Sequence, residues 1–228
     1  MDAVVDHKRG LLRNLAMFRD LADDELERIA AGVRELRAAR GEIIFRQGDP
    51  CEGFHMVVFG QVKLALASPQ GMEKVVEIIA PGMSFGEALM FMERPYIVYA
   101  QTLADSLILH ISKDVIFAGL ENNPTLARRM LAGMSWRLHA IMKDLEAITL
   151  RNGTQRVIGY LLRDEDEALQ GPLSVKLPAS KSIVASRLNL TPEHFSRILH
   201  DLAAGGLIEV DGREVLIKNP ENLRRHEG

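Results

Sequence analysis

The sequence predicts an α+β fold, with an antiparallel β section first and a helical section after it. Three observations carry that prediction. Between residues 41 and 111, short runs rich in Val, Ile and Phe alternate with turn signals. From residue 124 the apolar residues recur at helical spacing. Near the C-terminus two short helical patterns flank a tight turn, and a strand, an Asp-Gly pair and a second strand follow. The chain has 228 residues, of which 47% are hydrophobic and 26% charged. That balance suits one or two compact domains and not a disordered chain.

After a helical start, residues 23–33 form a helix whose first turn carries Asp23, Asp24 and Glu25 at the positive end of its dipole. Strands follow at 42–46, 54–59, 62–66, 75–79 and 107–111. Between them stand Gln47-Gly48-Asp49-Pro50, Gly60, Ser68-Pro69-Gln70-Gly71 and Pro81-Gly82. Strands this short and closely spaced favour an antiparallel sandwich or barrel over a parallel sheet. Residues 1–122 are read as one domain.

Leu131, Met134, Leu138, Ile141, Leu145 and Ile148 then fall at spacings of 3, 4, 3, 4 and 3, an a/d heptad seam on a helix reaching about residue 151. The seam is narrower than the usual globular stripe. It favours pairing of two chains over packing on the chain's own core, so residues 123–152 are read as a dimerisation helix. Arg151-Asn152-Gly153-Thr154 marks a break, with Thr154 as the cap of a helix over 154–168, and residues 153–228 form the last domain. A strand at 173–177, a helix at 180–188 and a turn at Asn189-Leu190 follow. Thr191 is a good N-cap with Pro192 at N1, and Gly205-Gly206 ends that helix. Strands at 207–210 and 214–217 flank Asp211-Gly212. Helix, short turn, helix and hairpin make a winged helix-turn-helix.

Composition excludes several classes. No apolar run approaches the ~20 residues of a membrane helix, and the first ten residues carry no secretory apolar region, so a cytoplasmic protein is expected. One cysteine, Cys51, allows neither an intrachain disulfide nor a cysteine-built zinc or iron–sulfur site within one chain, and reads as a loop thiol. An enzyme of the metal-dependent barrel type would need clustered His and Glu, and the β section offers only His55 and His110 among histidines. The net charge is −3, yet residues 176–200 hold Lys176, Lys181, Arg187 and Arg197 against the single acid Glu193. That window suits phosphate contact.

In the helix starting after Thr191, the apolar residues Phe195, Ile198, Leu199 and Leu202 define a buried face, while Glu193, Ser196 and Arg197 share another face near the N-terminus. Helices that enter the major groove read bases with N-terminal residues. Arginine pairs bidentately with guanine, glutamate accepts from cytosine N4, and serine is adaptable. The alternative for Glu193 and Arg197 is an ordinary i,i+4 surface pair. Lys181 and Arg187 are the candidate backbone contacts, and Thr191 is a further candidate DNA-binding residue.

The whole chain resembles the CRP/FNR family of bacterial transcription regulators. The resemblance rests on Gly41-Glu42-Ile43-Ile44-Phe45-Arg46-Gln47-Gly48-Asp49, Gly60-Gln61-Val62-Lys63-Leu64, the Pro69-Gln70-Gly71 turn and Pro81-Gly82-Met83-Ser84-Phe85-Gly86-Glu87-Ala88, followed in order by the long helix and the helix-turn-helix. It implies a jelly-roll sensor domain (an antiparallel β-roll), a dimerising helix and a DNA-binding winged helix. It also implies a homodimeric activator on a palindromic DNA operator, with RNA polymerase as a further partner. Glu193, Ser196 and Arg197 match the Glu-x-x-Ser-Arg pattern of the FNR branch, which implies TTGAT-like half-sites.

By the same resemblance the effector pocket takes Gly86, Glu87, Arg94 and Tyr96. In cyclic-nucleotide-binding relatives an Arg-Ser or Arg-Thr pair holds the phosphate. Here Pro95 follows Arg94 in a short loop and offers neither an N–H nor a hydroxyl, which argues against cyclic AMP. Residues 84–96 resemble the Dnr-type, denitrification-linked subgroup, which implies a nitric oxide response through bound heme. A heme needs an axial ligand such as His or Met. His55 lies in a strand, either exposed or facing the pocket, and His139 lies on the long helix; the sequence does not name the ligand. A cyclic-nucleotide-binding module of another kind of protein is the rival reading, but it leaves residues 191–218 without a role.

Overall fold

Two short helices lead into the β section in the computed structural model, which describes residues 2–19, 21–68, 72–162 and 171–226. The chain divides into two units, Met1–Leu138 and His139–Gly228. The first begins with α1 (Asp2–Arg13) and α2 (Asp23–Ala31), then β1 (Val33–Ala38), β2 (Ile43–Phe45), β3 (Gly53–Phe59), β4 (Val62–Ala67) and β5 (Glu73–Ile79). After these come β6 (Ser84–Phe85), α3 (Glu87–Phe91), β7 (Tyr99–Thr102), β8 (Ser106–Ser112), α4 (Lys113–Asn122) and the first part of α5 (Pro124–Leu150). The strands form two antiparallel four-stranded sheets, ordered β1-β8-β3-β6 and β2-β7-β4-β5. Phe45, Val57, Val62, Ile79, Phe85, Tyr96, Ala100 and Ile108 form a core contributed by both sheets. A second core joins α1, α2 and α4 to β3 and β8 through Leu12, Leu26, Phe54, Leu109 and Ile116.

The helix expected over 23–33 stops at Ala31, because Gly32 caps it and Val33 enters β1 opposite Ile111. That strand carries Arg34, Glu35 and Arg37 on an edge, so its composition hides it. Pro69, Gln70 and Gly71 lie outside the described residues; beside them the Ser68 N–H donates to Met72 O at 2.8 Å and closes the β4–β5 hairpin. Gly60 is required as glycine: its φ is +86°, and a Cβ there would stand 2.1 Å from Ser106 Oγ.

The second unit holds the end of α5, α6 (Gly153–Leu161), β9 (Leu173–Lys176), α7 (Lys181–Arg187), α8 (Pro192–Ala204), β10 (Ile208–Asp211), β11 (Glu214–Ile217) and α9 (Pro220–Arg224). Its sheet is ordered β10-β11-β9, and its core gathers Val157, Leu161, Val184, Phe195, Leu199, Ile208 and Val215. Three local expectations change. The cap of α6 is Asn152 and not Thr154: Asn152 Oδ1 accepts from the Gln155 N–H at 2.8 Å, and Gln155 Oε1 accepts from the Asn152 N–H at 3.1 Å. The helix expected to reach residue 168 is seen to Leu161, and residues 163–168 lie outside the described residues. The hairpin turn is Gly212-Arg213 and not Asp211-Gly212, since Asp211 pairs with Glu214 and Gly212 takes the positive φ of +58°.

Candidate nucleic-acid interface and cavity

α8 is held from one side. Phe195, Ile198, Leu199 and Leu202 are all buried, and Thr191 Oγ1 accepts from the His194 N–H at 3.2 Å to fix the first turn. The i,i+3,i+4 period then leaves Glu193, Ser196 and Arg197 exposed. None of the three side chains has a hydrogen bond or ion pair among the described residues, so the i,i+4 surface pair is absent. Their donors and acceptors are available to an outside partner. Asn189, at φ +56°, makes the turn that joins α7 to α8. Lys181 lies half-buried in the first turn of α7.

Arg187 sits differently from the other basic residues of its window. Its Nη2 donates to Asp144 Oδ2 on α5, and the side chain is 20% exposed. The guanidinium is engaged within the protein.

Of the predicted seam, Leu131, Leu138, Ile141, Leu145 and Ile148 are exposed and Met134 is half-buried. Sequence reasoning passed over Trp136, Met142 and Leu150, which are also exposed on α5. They stand off the 3,4 repeat, so the heptad pattern gave no signal for them. In the first turns of the same helix Leu126 and Met130 are buried in the first unit's core.

A cavity of about 610 Å³ lies in the first unit, and Gly86, Glu87, Arg94 and Tyr96 all line it. Phe45 and Tyr96 stack at 3.6 Å between ring centroids, and Leu64, Leu89, Met92, Ile97 and Val98 complete its apolar wall. The Tyr96 hydroxyl donates to Gly53 O at 3.3 Å. Gly86, at φ +95°, turns the chain into α3, whose first residue Glu87 is buried. Arg137 of α5 reaches this end of the cavity, a contact invisible to local sequence patterns. Its Nη1 donates to Glu87 Oε2 at 3.2 Å, its Nε lies 3.5 Å from Glu77 Oε2, and its Nη2 donates to Ser84 O. The Arg94 guanidinium has no partner among the described residues.

His55 is neither exposed nor in the cavity lining. It is buried, 5.0 Å from the Phe85 ring and 5.5 Å from Phe45, with Nδ1 unpartnered. Burial, then the nearby His110 and Arg34, push its pKa down to about 3. His110, opposite it in the β3–β8 register, is lowered chiefly by burial. Among the lining residues the side chains of the types that serve as axial ligands to heme iron are Met92, exposed at the rim, and Tyr96, whose hydroxyl is already engaged; the carboxylates Glu77 and Glu87 face Arg137. Apolar walls with Met92 and the cation Arg94 fit a heme in character; no histidine lines the cavity. Cys51 Sγ lies 3.2 Å from Gly53 O. Among the described residues no helix is long and apolar enough to cross a membrane.

Comparison with known proteins agrees with this division. Residues 35–123 match the cyclic nucleotide-binding domain family and residues 155–226 the Crp-like helix-turn-helix domain family. DNR from Pseudomonas aeruginosa is 35% identical, over 94% of this chain and 95% of that one, with a TM-score of 0.50. A Ruegeria pomeroyi protein described as cyclic-nucleotide-binding is 30% identical, over 96% of each chain, with a TM-score of 0.61. The CRP-like cAMP-activated global transcriptional regulator of Mycobacterium tuberculosis is 22% identical over 218 residues, 94% of this chain and 97% of that one. The Mycobacterium protein is by name a transcriptional regulator, and a Lacticaseibacillus casei relative, 27% identical over 91% of this chain and 93% of that one, is named as a probable one.

Proposed function

The chain belongs to the CRP/FNR family of DNA-binding transcriptional regulators, and from that premise we propose that it is a homodimeric activator reading an inverted repeat of TTGAT-like half-sites. One α8 enters the major groove at each half-site, about one helical turn (~34 Å) from its mate. The observation that carries this reading is the triad Glu193, Ser196 and Arg197, exposed and unpartnered on the N-terminal part of a helix whose other face is locked in the core. Lys181 and Thr191 supply backbone contacts that position the helix without choosing sequence. Fluorescence anisotropy on a duplex bearing the inverted TTGAT repeat, against a scrambled duplex, tests it. A preference of about 10³-fold or more is expected; equal affinity for the two overturns the reading.

The effector occupies the cavity lined by Gly86, Glu87, Arg94 and Tyr96. Heme that carries a nitric oxide response is the candidate favoured by the resemblance to the Dnr-type subgroup. Met92 would hold the iron and Arg94 a carboxylate, and the bound iron would supply the nitric-oxide-binding centre. The rival is a cyclic nucleotide, favoured by the family match over 35–123 and opposed by Pro95, which leaves Arg94 without the neighbouring donor a phosphate needs. Either ligand would act by population shift, changing how two copies of α5 pair and so the spacing of the two α8 helices.

A further inference from the structure

Arg187 lies in the locally basic window that suits phosphate contact, yet the structure turns it inward. It is the last residue of α7, the first helix of the helix-turn-helix, and its guanidinium is bonded to Asp144 of α5 with four-fifths of the side chain covered. Asp144 is placed for this. Of residues 139–150, only Asp144 and Ala147 are half-buried, and being three apart they share one face of α5. The rest of that stretch is exposed. The long helix therefore meets the rest of the second unit along a thin line, and the one charge on that line is paired with the end of α7.

We propose that Asp144 is a positioning residue for operator binding: through Arg187 it fixes the end of α7 on α5, and so sets the attitude of the turn at Asn189 and of α8 behind it. Arg187 is then a clamp and not a phosphate contact. The inference rests on the DNA-binding reading above and adds to it the link by which the long helix addresses the reading head. A partly covered ion pair whose two ends sit on different helices gains from geometry more than from bulk charge, so the pair acts as a unit.

The test uses the full chain and the same two duplexes at several salt concentrations. Asp144→Asn and Arg187→Gln should each weaken binding to the inverted repeat about 3- to 10-fold, with scrambled-duplex affinity unchanged. Combining them should cost no more than either alone. The slope of log K against log salt should stay at the wild-type value in all three. Asp144→Glu, which keeps the acid, should bind within about 2-fold of wild type, and thermal midpoints report whether any variant fails to fold. A slope reduced by ~0.9 per half-site in Arg187→Gln would mark a lost phosphate contact and overturn the proposal. So would additive losses, equal losses on both duplexes, or no loss. If the wild-type chain itself fails to discriminate the duplexes, the DNA-binding reading falls first and this inference falls with it.

Discussion

Arg197 is useful because nothing inside the protein holds it. An arginine already paired with Glu193 would have to break that pair before forking onto a guanine; here both side chains stand unpartnered among the described residues. Arg197→Ala should therefore cost about 1–3 kcal/mol on the cognate repeat and relax preference at one base pair of each half-site. Equal losses on matched and mismatched repeats would reduce it to a backbone contact. These three residues were legible in the sequence because helical period alone separates them from Phe195, Ile198 and Leu199. Arg137 and Asp144 were not, since their partners Glu87 and Arg187 are dozens of residues away and no local pattern announces them. His55 was legible as a strand residue but not as a buried one. Its pKa of about 3, against 6.5 when unfolded, has a consequence of definite sign. The folded state refuses a proton that the unfolded chain takes, so His55 costs nothing above pH 6.5 and destabilises as pH falls toward 3. Between pH 6.5 and 5 that amounts to about 2 kcal/mol, read by urea denaturation. His110, also lowered, adds in the same direction. If His55→Leu loses as much stability over that interval as the wild type, His55 is not the group responsible.

Among the elements, α5 states its business most openly. Five of the six seam positions, Leu131, Leu138, Ile141, Leu145 and Ile148, are exposed in the single chain. Burying such side chains against a second copy gains about 1.5–3 kcal/mol each where burial is complete, and a carboxylate in that seam would have to be desolvated unpaired. Leu138→Glu or Ile141→Glu should accordingly halve the mass seen in sedimentation. An unchanged mass would place the subunit contact elsewhere. Elements were legible where one period dominated. The apolar runs of β3, β4, β5 and β8 and the capped helix α8 show this. They were hidden where burial is one-sided and charges intervene: β1 alternates Arg34, Glu35 and Arg37 with buried ends and pairs only with β8. β6, two residues long, is a strand only because His55 and Met56 supply its partners.

For the molecule as a whole, the lining of the cavity sets the terms for what can fill it. Its walls are apolar, and its buried acid Glu87 already meets the guanidinium of Arg137. The cation at its mouth, Arg94, is followed by a residue with no N–H. A cyclic phosphate placed there would exchange a full water shell for the one unpartnered guanidinium, Arg137 being held by Glu77 and Glu87, and buried polar groups without partners are costly. Equilibrium dialysis of the full chain with cyclic AMP should therefore recover no more than weak binding, with a Kd no tighter than about 1 mM, some 4 kcal/mol. Micromolar retention would mean that the missing donor is supplied from elsewhere and would move the effector assignment to a nucleotide. Heme would make the opposite demand, apolar walls with one soft ligand, and under the proposal above Met92 would meet it. Protein purified from heme-replete cells should show a Soret band that shifts on nitric oxide, and Met92→Leu should lose or displace it. A chain without that band at full heme supply would exclude heme from this cavity while leaving α8 as the reading helix, because that assignment rests on Glu193, Ser196 and Arg197 and not on which ligand sets the spacing of the two copies.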